Sequence, residues 1–380
     1  MVKTSLKPPV WVARPAPLQN MAEELGRHTR VAIDTESNSL YAYKEQVCLI
    51  QFSVPETDYL LDTLALGDLT VLGPLFANPD IEKIFHAAEY DLICLKRDYG
   101  FEFNHIFDTM QAGRILGRKE IGLGSILKNE FGLQLEKRYQ RANWGARPLT
   151  PAMLAYARLD SHYLIDLRDR LAGELEQKGL MELAREDFEH LTRVNVPVND
   201  NQPGNCWRLA SGKDLSRSQC AVLQALLEYR DQQAQRADLP PFKILNNQTL
   251  IDIATACPDD HEQLLACTHL SVRQSDRFGN DLLQAVQKGL VTPPPPRPSN
   301  HRPEEAVINR IDALKNWRKV TARTWGVESD VVLPKDLLET IAFKNPRDPV
   351  DLNNVMTHFP WRFHRFNDQI LNVIKELERS

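Results

Sequence analysis

Asp34 and Glu36 stand two apart in the stretch VAIDTESNSL, directly after the apolar run Val31-Ala32-Ile33. Residues two apart in a strand share a face. The strand this run predicts therefore sets two carboxylates side by side, an arrangement that repels itself and is costly to bury without a cation. Asp-x-Glu alone is common and usually marks a solvated strand end. Two further acids change its weight. Asp91, in FHAAEYDLICL, sits early in a helix that follows a buried strand, where complementing the helix N-terminus would be its plain role. Asp160, in LAYARLDSHYLIDL, lies four residues after Tyr156 on one helix face. It borders the apolar stripe Leu154, Leu159, Tyr163, Leu164 and Leu167, and a salt bridge to Arg158 or Arg168 is its plain alternative. If the fold brings the four acids together, they suit two divalent cations, Mg²⁺ or Mn²⁺. Such ions, about 4 Å apart, stabilise the attacking and leaving oxygens of phosphodiester hydrolysis.

The elements that must position these residues alternate in type over the first half. Val31–Asp34, Val47–Val54, Tyr59–Leu61, Lys83–His86 and the HIFDT segment read as strands. A helical pattern follows His86 and stops at Gly100, and another runs from Met110 to Gly179, interrupted by LEKRYQRANWGARPLT. Thr150-Pro151 marks a helix start, with Thr as N-cap and Pro at the first helical position. The expected fold is an α/β domain with a mixed five-stranded sheet flanked by helices.

The second half reads as all-helical and repeats. Shifted by 88 residues without a gap, LLEYRD (226–231) falls on LKNWRK (314–319), Ile253-Ala254 on Ile341-Ala342 and Pro258 on Pro346. Between the copies lies VTPPPPRPSNH, a polyproline II spacer. Three domains follow: an α/β domain over 1–200 and two related helical modules over 210–292 and 303–380.

Composition bounds the class. The chain has 380 residues, 42% hydrophobic and 26% charged, which is ordinary for a globular protein of two or three domains. Neither a signal peptide nor a membrane-spanning apolar run is read, so a cytoplasmic location without a membrane partner is expected. The six cysteines form no C-x-x-C pair, which argues against zinc clusters and disulfide frameworks. The formal net charge of −5 conceals a basic stretch, 113–147, with eight basic and three acidic side chains. Within it Lys137, Arg138, Arg141 and Arg147, interleaved with Tyr139 and Trp144, are candidate substrate contacts to phosphate and a stacked base. The alternative is a solvated loop with Trp144 as a core plug. In the helical modules Arg230, Arg318, Lys319 and Arg323 are candidate phosphate contacts, with ordinary surface charge as the alternative. His86 reads as structural, and Tyr229 and Trp317 as core.

Asp34-x-Glu36, FHAAEYDL with Asp91, and Tyr156-x-x-x-Asp160 resemble, in order and separation, the three exonuclease motifs of the DEDD superfamily. The other subtype carries a His five residues before the last Asp. Here that position is Ala155, so Tyr156 marks the tyrosine subtype. IFDTMQAGRILG, LGSILKNEFGLQLEK and RPLTPAMLAYARLD sharpen the resemblance to the ribonuclease D family, and the helical modules resemble HRDC domains. Asn143 precedes Trp144 where an Asp is common in that family, keeping the size and dropping the charge. The resemblance implies a ribonuclease H-like catalytic domain and a metal-dependent 3′→5′ exoribonuclease. Asp34 would bridge two metal ions, Glu36 and Asp160 would complete the first site, Asp91 would hold the second, and Tyr156 would orient the attacking water. The implied partner is RNA with a free 3′ end, with tRNA precursors suggested by the family. A single-strand DNA exonuclease of the same superfamily and a non-catalytic nucleic-acid-binding scaffold are the other readings.

Overall fold

The computed structural model describes residues 6–196, 205–297 and 303–379. Residues 197–200, which close the expected first domain, and 298–301, which close the proline-rich spacer, lie outside the described residues. The chain forms two compact units. One comprises described residues within 1–37, 47–196 and 302–380, the other those within 38–46 and 197–301.

The first unit is built on a sheet of six strands: β1 (Val10–Val12), β2 (Arg30–Ser37), β3 (Val47–Val54), β4 (Thr57–Asp62), β5 (Glu82–Phe85) and β6 (Ile106–Asp108). Their order is β1-β4-β3-β2-β5-β6. The β2–β3 and β3–β4 pairs are antiparallel; β1–β4, β2–β5 and β5–β6 are parallel. The sequence had indicated five strands, and β1 is the sixth. It is a three-residue edge strand wedged between proline-rich segments, too short to show a period of two, and prolines are tolerated at such an edge. β3 (VCLIQFSV) is buried at every position, as befits a strand with helices on both faces.

Helices cover both faces. The Glu89–Tyr99 helix packs Leu92 and Leu95 against Val31 and Ile33 of β2. The opposite face, with Ala32, Asp34 and Glu36, carries the Pro151–His162 helix. That helix starts as its sequence indicates, with the Thr150 hydroxyl accepting from the Met153 N–H at 3.2 Å. Gly100 ends the other in the left-handed conformation, φ 69°.

The second helical module is fused to this unit through a shared core. Val331 packs among Phe107, Leu183 and Phe188. Beside it Arg362, fully buried, donates to Glu186 Oε2 at 2.9 Å, Asp187 Oδ2 at 3.0 Å and the Val331 carbonyl at 2.9 Å.

The repeat holds helix by helix. Arg217–Ala237, Asn247–Ala256 and Val272–Val291 in the first module correspond, 88 residues on, to Glu305–Trp325, Lys335–Lys344 and Pro360–Arg379. Interior bonds repeat as well. Arg230 Nη1 donates to the Leu245 carbonyl at 3.1 Å, and Arg318 Nη1 to the Leu333 carbonyl at 2.8 Å. Tyr229 and Trp317 donate to Asp281 at 3.3 Å and Gln369 at 3.0 Å. Arg230 and Arg318 are therefore interior ties and not phosphate contacts, whereas Lys319 and Arg323 are exposed. The spacer is also not wholly free, because Trp207 Nε1 donates to the Pro295 carbonyl at 3.0 Å. Among the described residues no helix is long and apolar enough to cross a membrane.

Candidate active site

β2 outruns its neighbour. Its last pair with β5 is Ala32–Ile84, so the β5 side of Asp34, Thr35 and Glu36 is open at the carboxyl ends of two parallel strands. Such openings admit ligands between helices from both layers. Asp34 and Glu36 share the face beneath the Pro151–His162 helix, and a bulge follows immediately at Glu36/Ser37. Thr35, on the opposite face, donates its hydroxyl to Asp91. Carboxylate oxygens of Asp34, Glu36 and Asp160 all lie within 4.8 Å of one another. Asp91 stands apart from that trio, buried at the start of its helix, and its charge repels those of Asp34 and Glu36.

The turn that delivers Asp91 is held by Asp108. Its buried carboxylate accepts from the N–H groups of Ala87 (3.1 Å), Ala88 (2.8 Å), Met110 (2.8 Å) and Gln111 (3.1 Å). Ala87 is left-handed there, φ 64°, a conformation that a residue with a Cβ keeps only under such external restraint. His86 is structural, with Nδ1 2.9 Å from the Thr109 hydroxyl.

The Pro151–His162 helix is clamped from behind. Asp58 on β4, 4% exposed, takes the Arg158 Nε–H at 2.6 Å, His162 Nδ1 at 2.9 Å and the Ser53 hydroxyl at 2.7 Å. Arg158 and His162 project roughly opposite Tyr156 and Asp160 around the helix, so this clamp sets the rotation that presents the latter pair. Sequence proximity had offered Arg158 or Arg168 as partners for Asp160. Arg158 instead pairs with Asp58, and Arg168 with Glu82 at 2.6 Å. Among the described residues no Lys, Arg or His pairs with any of the four acids.

The electrostatics follow. Burial, and then repulsion from Asp160, holds the Asp34 carboxyl well above its ordinary range. Burial and the charges of Asp34, Asp160 and Asp91 push Glu36 up to about 10. Burial raises Asp160 to about 7, opposed by a hydrogen bond from Tyr156. Burial raises Asp91 too, with Asp34 adding to it. The Tyr156 phenol is pushed above its usual value, first by burial and then by the neighbouring acids. These are hard oxygen donors short of positive charge, which is the donor chemistry of a Mg²⁺ or Mn²⁺ site. Gln51 agrees with that chemistry. It lies directly across from Asp34 on β3, is fully buried, and neither its amide oxygen nor its nitrogen has a partner among the described residues. Directly opposed residues share a face, so this unsatisfied amide sits on the acids' side of the sheet.

The basic stretch divides. Trp144 is 1% exposed, its ring centroid 6.1 Å from that of Tyr156, and it is a plug beneath the tyrosine with no face left for a base. Arg147 is likewise structural. Its N–H groups go to Asp62 at 2.9 and 2.7 Å and to the carbonyls of Trp144, Ala146 and Cys48. Lys137, Arg138 and Arg141 remain at the surface. A cleft of about 370 Å³ adjoins Tyr156 and Asp160, walled by Leu135, Tyr139, Ala155 and Leu159.

Comparison with known proteins agrees with this geometry. A family model described as 3′-5′ exonuclease matches residues 9–176, and one for the HRDC domain matches 219–286 and 308–374. Ribonuclease D of Nitrobacter hamburgensis is 27% identical over 361 residues, 94% of this chain and 92% of that protein. The chain thus carries a 3′-5′ exonuclease domain followed by two HRDC domains, and it is similar to ribonuclease D. Exosome complex exonuclease RRP6 of Saccharomyces cerevisiae is 30% identical over 303 residues, 74% of this ribonuclease D-like chain but 41% of the yeast protein. The chain thus spans less than half the length of that relative. The solved catalytic core of RRP6 from Trypanosoma brucei superposes with a TM-score of 0.66 at 27% identity, covering 76% of this chain and 81% of that one. Escherichia coli RNase D shares the fold, with a TM-score of 0.70 at 23% identity over 97% of this chain and 99% of that one.

Proposed function

We propose that this ribonuclease D-like protein is a metal-dependent 3′→5′ exoribonuclease that releases 5′-nucleoside monophosphates from RNA 3′ ends in the cytoplasm. Precursors of tRNA are its proposed substrates. The observation that carries the reading is the convergence of the Asp34, Glu36 and Asp160 oxygens within 4.8 Å, with no cationic side chain among the described residues paired to them. Asp34 would bridge two divalent ions, Glu36 and Asp160 would complete one site, and Asp91 would serve the other from its own helix. When bound, the ions supply Lewis-acid activation of water and charge neutralisation at the departing 3′ oxygen.

The chain's own residues do the rest. Tyr156 keeps its phenolic proton at neutral pH, since burial and acidic neighbours raise its pKa. It therefore acts as a hydrogen-bonding group that orients water, not as a general base. The neighbouring cleft, with small Ala155 and apolar Leu135 and Leu159 in its wall, accepts the terminal nucleotide. The Gln51 amide, across the sheet from Asp34, would find its missing partners in the water around such ions. The Asp58 clamp holds Tyr156 and Asp160 in register with β2.

The test is product release. Wild-type protein in Mg²⁺ is expected to liberate mononucleotides from single-stranded RNA, and Asp34→Ala to abolish release while leaving the fold intact. Near-normal hydrolysis by Asp34→Ala overturns the site. Faster digestion of DNA than RNA overturns the substrate, and no release with either Mg²⁺ or Mn²⁺ favours a non-catalytic scaffold.

A further inference from the structure

Arg208, Lys213 and Arg297 converge on one open cleft of the second unit, about 650 Å³ in volume, which no acidic residue among the described residues lines. They come from three separate places. Arg208 belongs to the short Cys206–Leu209 helix, and Lys213 follows a turn at Gly212, where φ is 73°. Arg297 arrives from the far end of the module at the close of the proline run.

Trp207 assembles them. Its Nε1 donates to the Pro295 carbonyl at 3.0 Å, and the Arg297 guanidinium lies over its ring at 5.6 Å. An aromatic residue bonded to a carbonyl of a proline-rich strand is a common way of seating such a strand. The Trp207 segment is itself anchored, with the Cys206 N–H donating to Gln224 Oε1 at 3.1 Å. Apart from that contact between Arg297 and Trp207, the three cations make no ion pair or side-chain hydrogen bond among the described residues. Three like charges around one cleft repel each other, and the arrangement becomes favourable when a polyanion enters. All but Cys220 of the lining residues fall outside the stretch 219–286 that matches the HRDC domain.

We propose that this cleft binds the phosphodiester backbone of a single-stranded polynucleotide at phosphates other than the one being hydrolysed. The proposal rests on the polynucleotide substrate argued above. Small-residue backbone at Ser211 and Gly212 leaves room for close approach, and backbone charge, common to RNA and DNA, is what the three cations read.

The test uses the full chain and a long single-stranded RNA oligonucleotide in chelator, so that nothing is hydrolysed, with affinity followed by anisotropy across a salt series. Replacing Arg208, Lys213 and Arg297 together by Ala should reduce the slope of log affinity against log salt by about 2, since each lost phosphate contact on a single strand removes about 0.7. Mononucleotide release from a dinucleotide in Mg²⁺ should stay at the wild-type rate. Should the triple variant melt early, Arg208→Ala and Lys213→Ala singly, whose side chains have no partner among the described residues, should each lower the slope by about 0.7. An unchanged slope overturns the proposal, as does an equal loss on the dinucleotide. Wild-type protein that binds RNA through the cleft yet releases no nucleotide would instead overturn the exonuclease reading and leave the cleft standing.

Discussion

Glu36→Gln should make the metal-free protein more stable while destroying its activity. In the native state Glu36 holds its proton up to about pH 10, because burial and three neighbouring acids disfavour its charge. In the unfolded chain it loses that proton near 4.5. At pH 7 the native protein must therefore take up a proton against solution, at about 1.4 kcal/mol for each pH unit above that value, or about 3 kcal/mol in all. Gln has nearly the same shape and carries no such cost. For a folded unit of this size the gain corresponds to roughly 6–10 °C in melting temperature. The sign is set by proton counts. Between the two pKa values the unfolded state binds fewer protons than the native, so wild-type stability falls as pH rises across that window. Below about pH 4 both states are protonated and the gap between wild type and variant should close. Melting curves in chelator at acid and neutral pH read this directly. Saturating Mg²⁺ should raise the wild type and not the variant, since binding to the native state stabilises by mass action. A variant no more stable than wild type at neutral pH, or a gap that persists in acid, would refute the reasoning.

Other outcomes follow from particular contacts. Gln51→Leu should stabilise the metal-free protein by about 1–3 kcal/mol, the cost of an unsatisfied buried amide, and weaken Mn²⁺ binding by calorimetry; unchanged binding contradicts the role given to Gln51. Arg362→Ala should cost about 3–5 kcal/mol in denaturant unfolding, because it strands the buried Glu186 and the half-buried Asp187 without their cation, whereas Arg362→Met should cost less. Tyr156→Phe should lower kcat with little change in KM; equal effects on both would assign the hydroxyl to binding.

The sequence carried most of what local pattern can carry. An apolar run ending in Asp34 and Glu36 announced the strand, and Thr150-Pro151 announced the helix that bears Tyr156 and Asp160. The register of 88 residues between the helical modules was legible because the helices from Arg217 to Val291 and the interior Arg230 recur 88 residues on. What escaped depends on partners distant in the chain. Trp144 and Arg147 lie in a basic, aromatic stretch that looks like a nucleic-acid contact. Only the fold shows the indole sealed beneath Tyr156 and the guanidinium held by Asp62. Asp58, His162 and Asp108 carried no local signal, since each acts by bonding an element far along the chain.

The most direct test is crystallographic. Crystals soaked in Mn²⁺ with a nucleoside monophosphate should show anomalous density between the carboxylates of Asp34, Glu36 and Asp160, and a second peak on the Asp91 side of Asp34. Full occupancy of both by the nucleotide-bound protein is the predicted result. Density absent from that cluster at saturating Mn²⁺, in a protein that still releases nucleotides, would contradict the account.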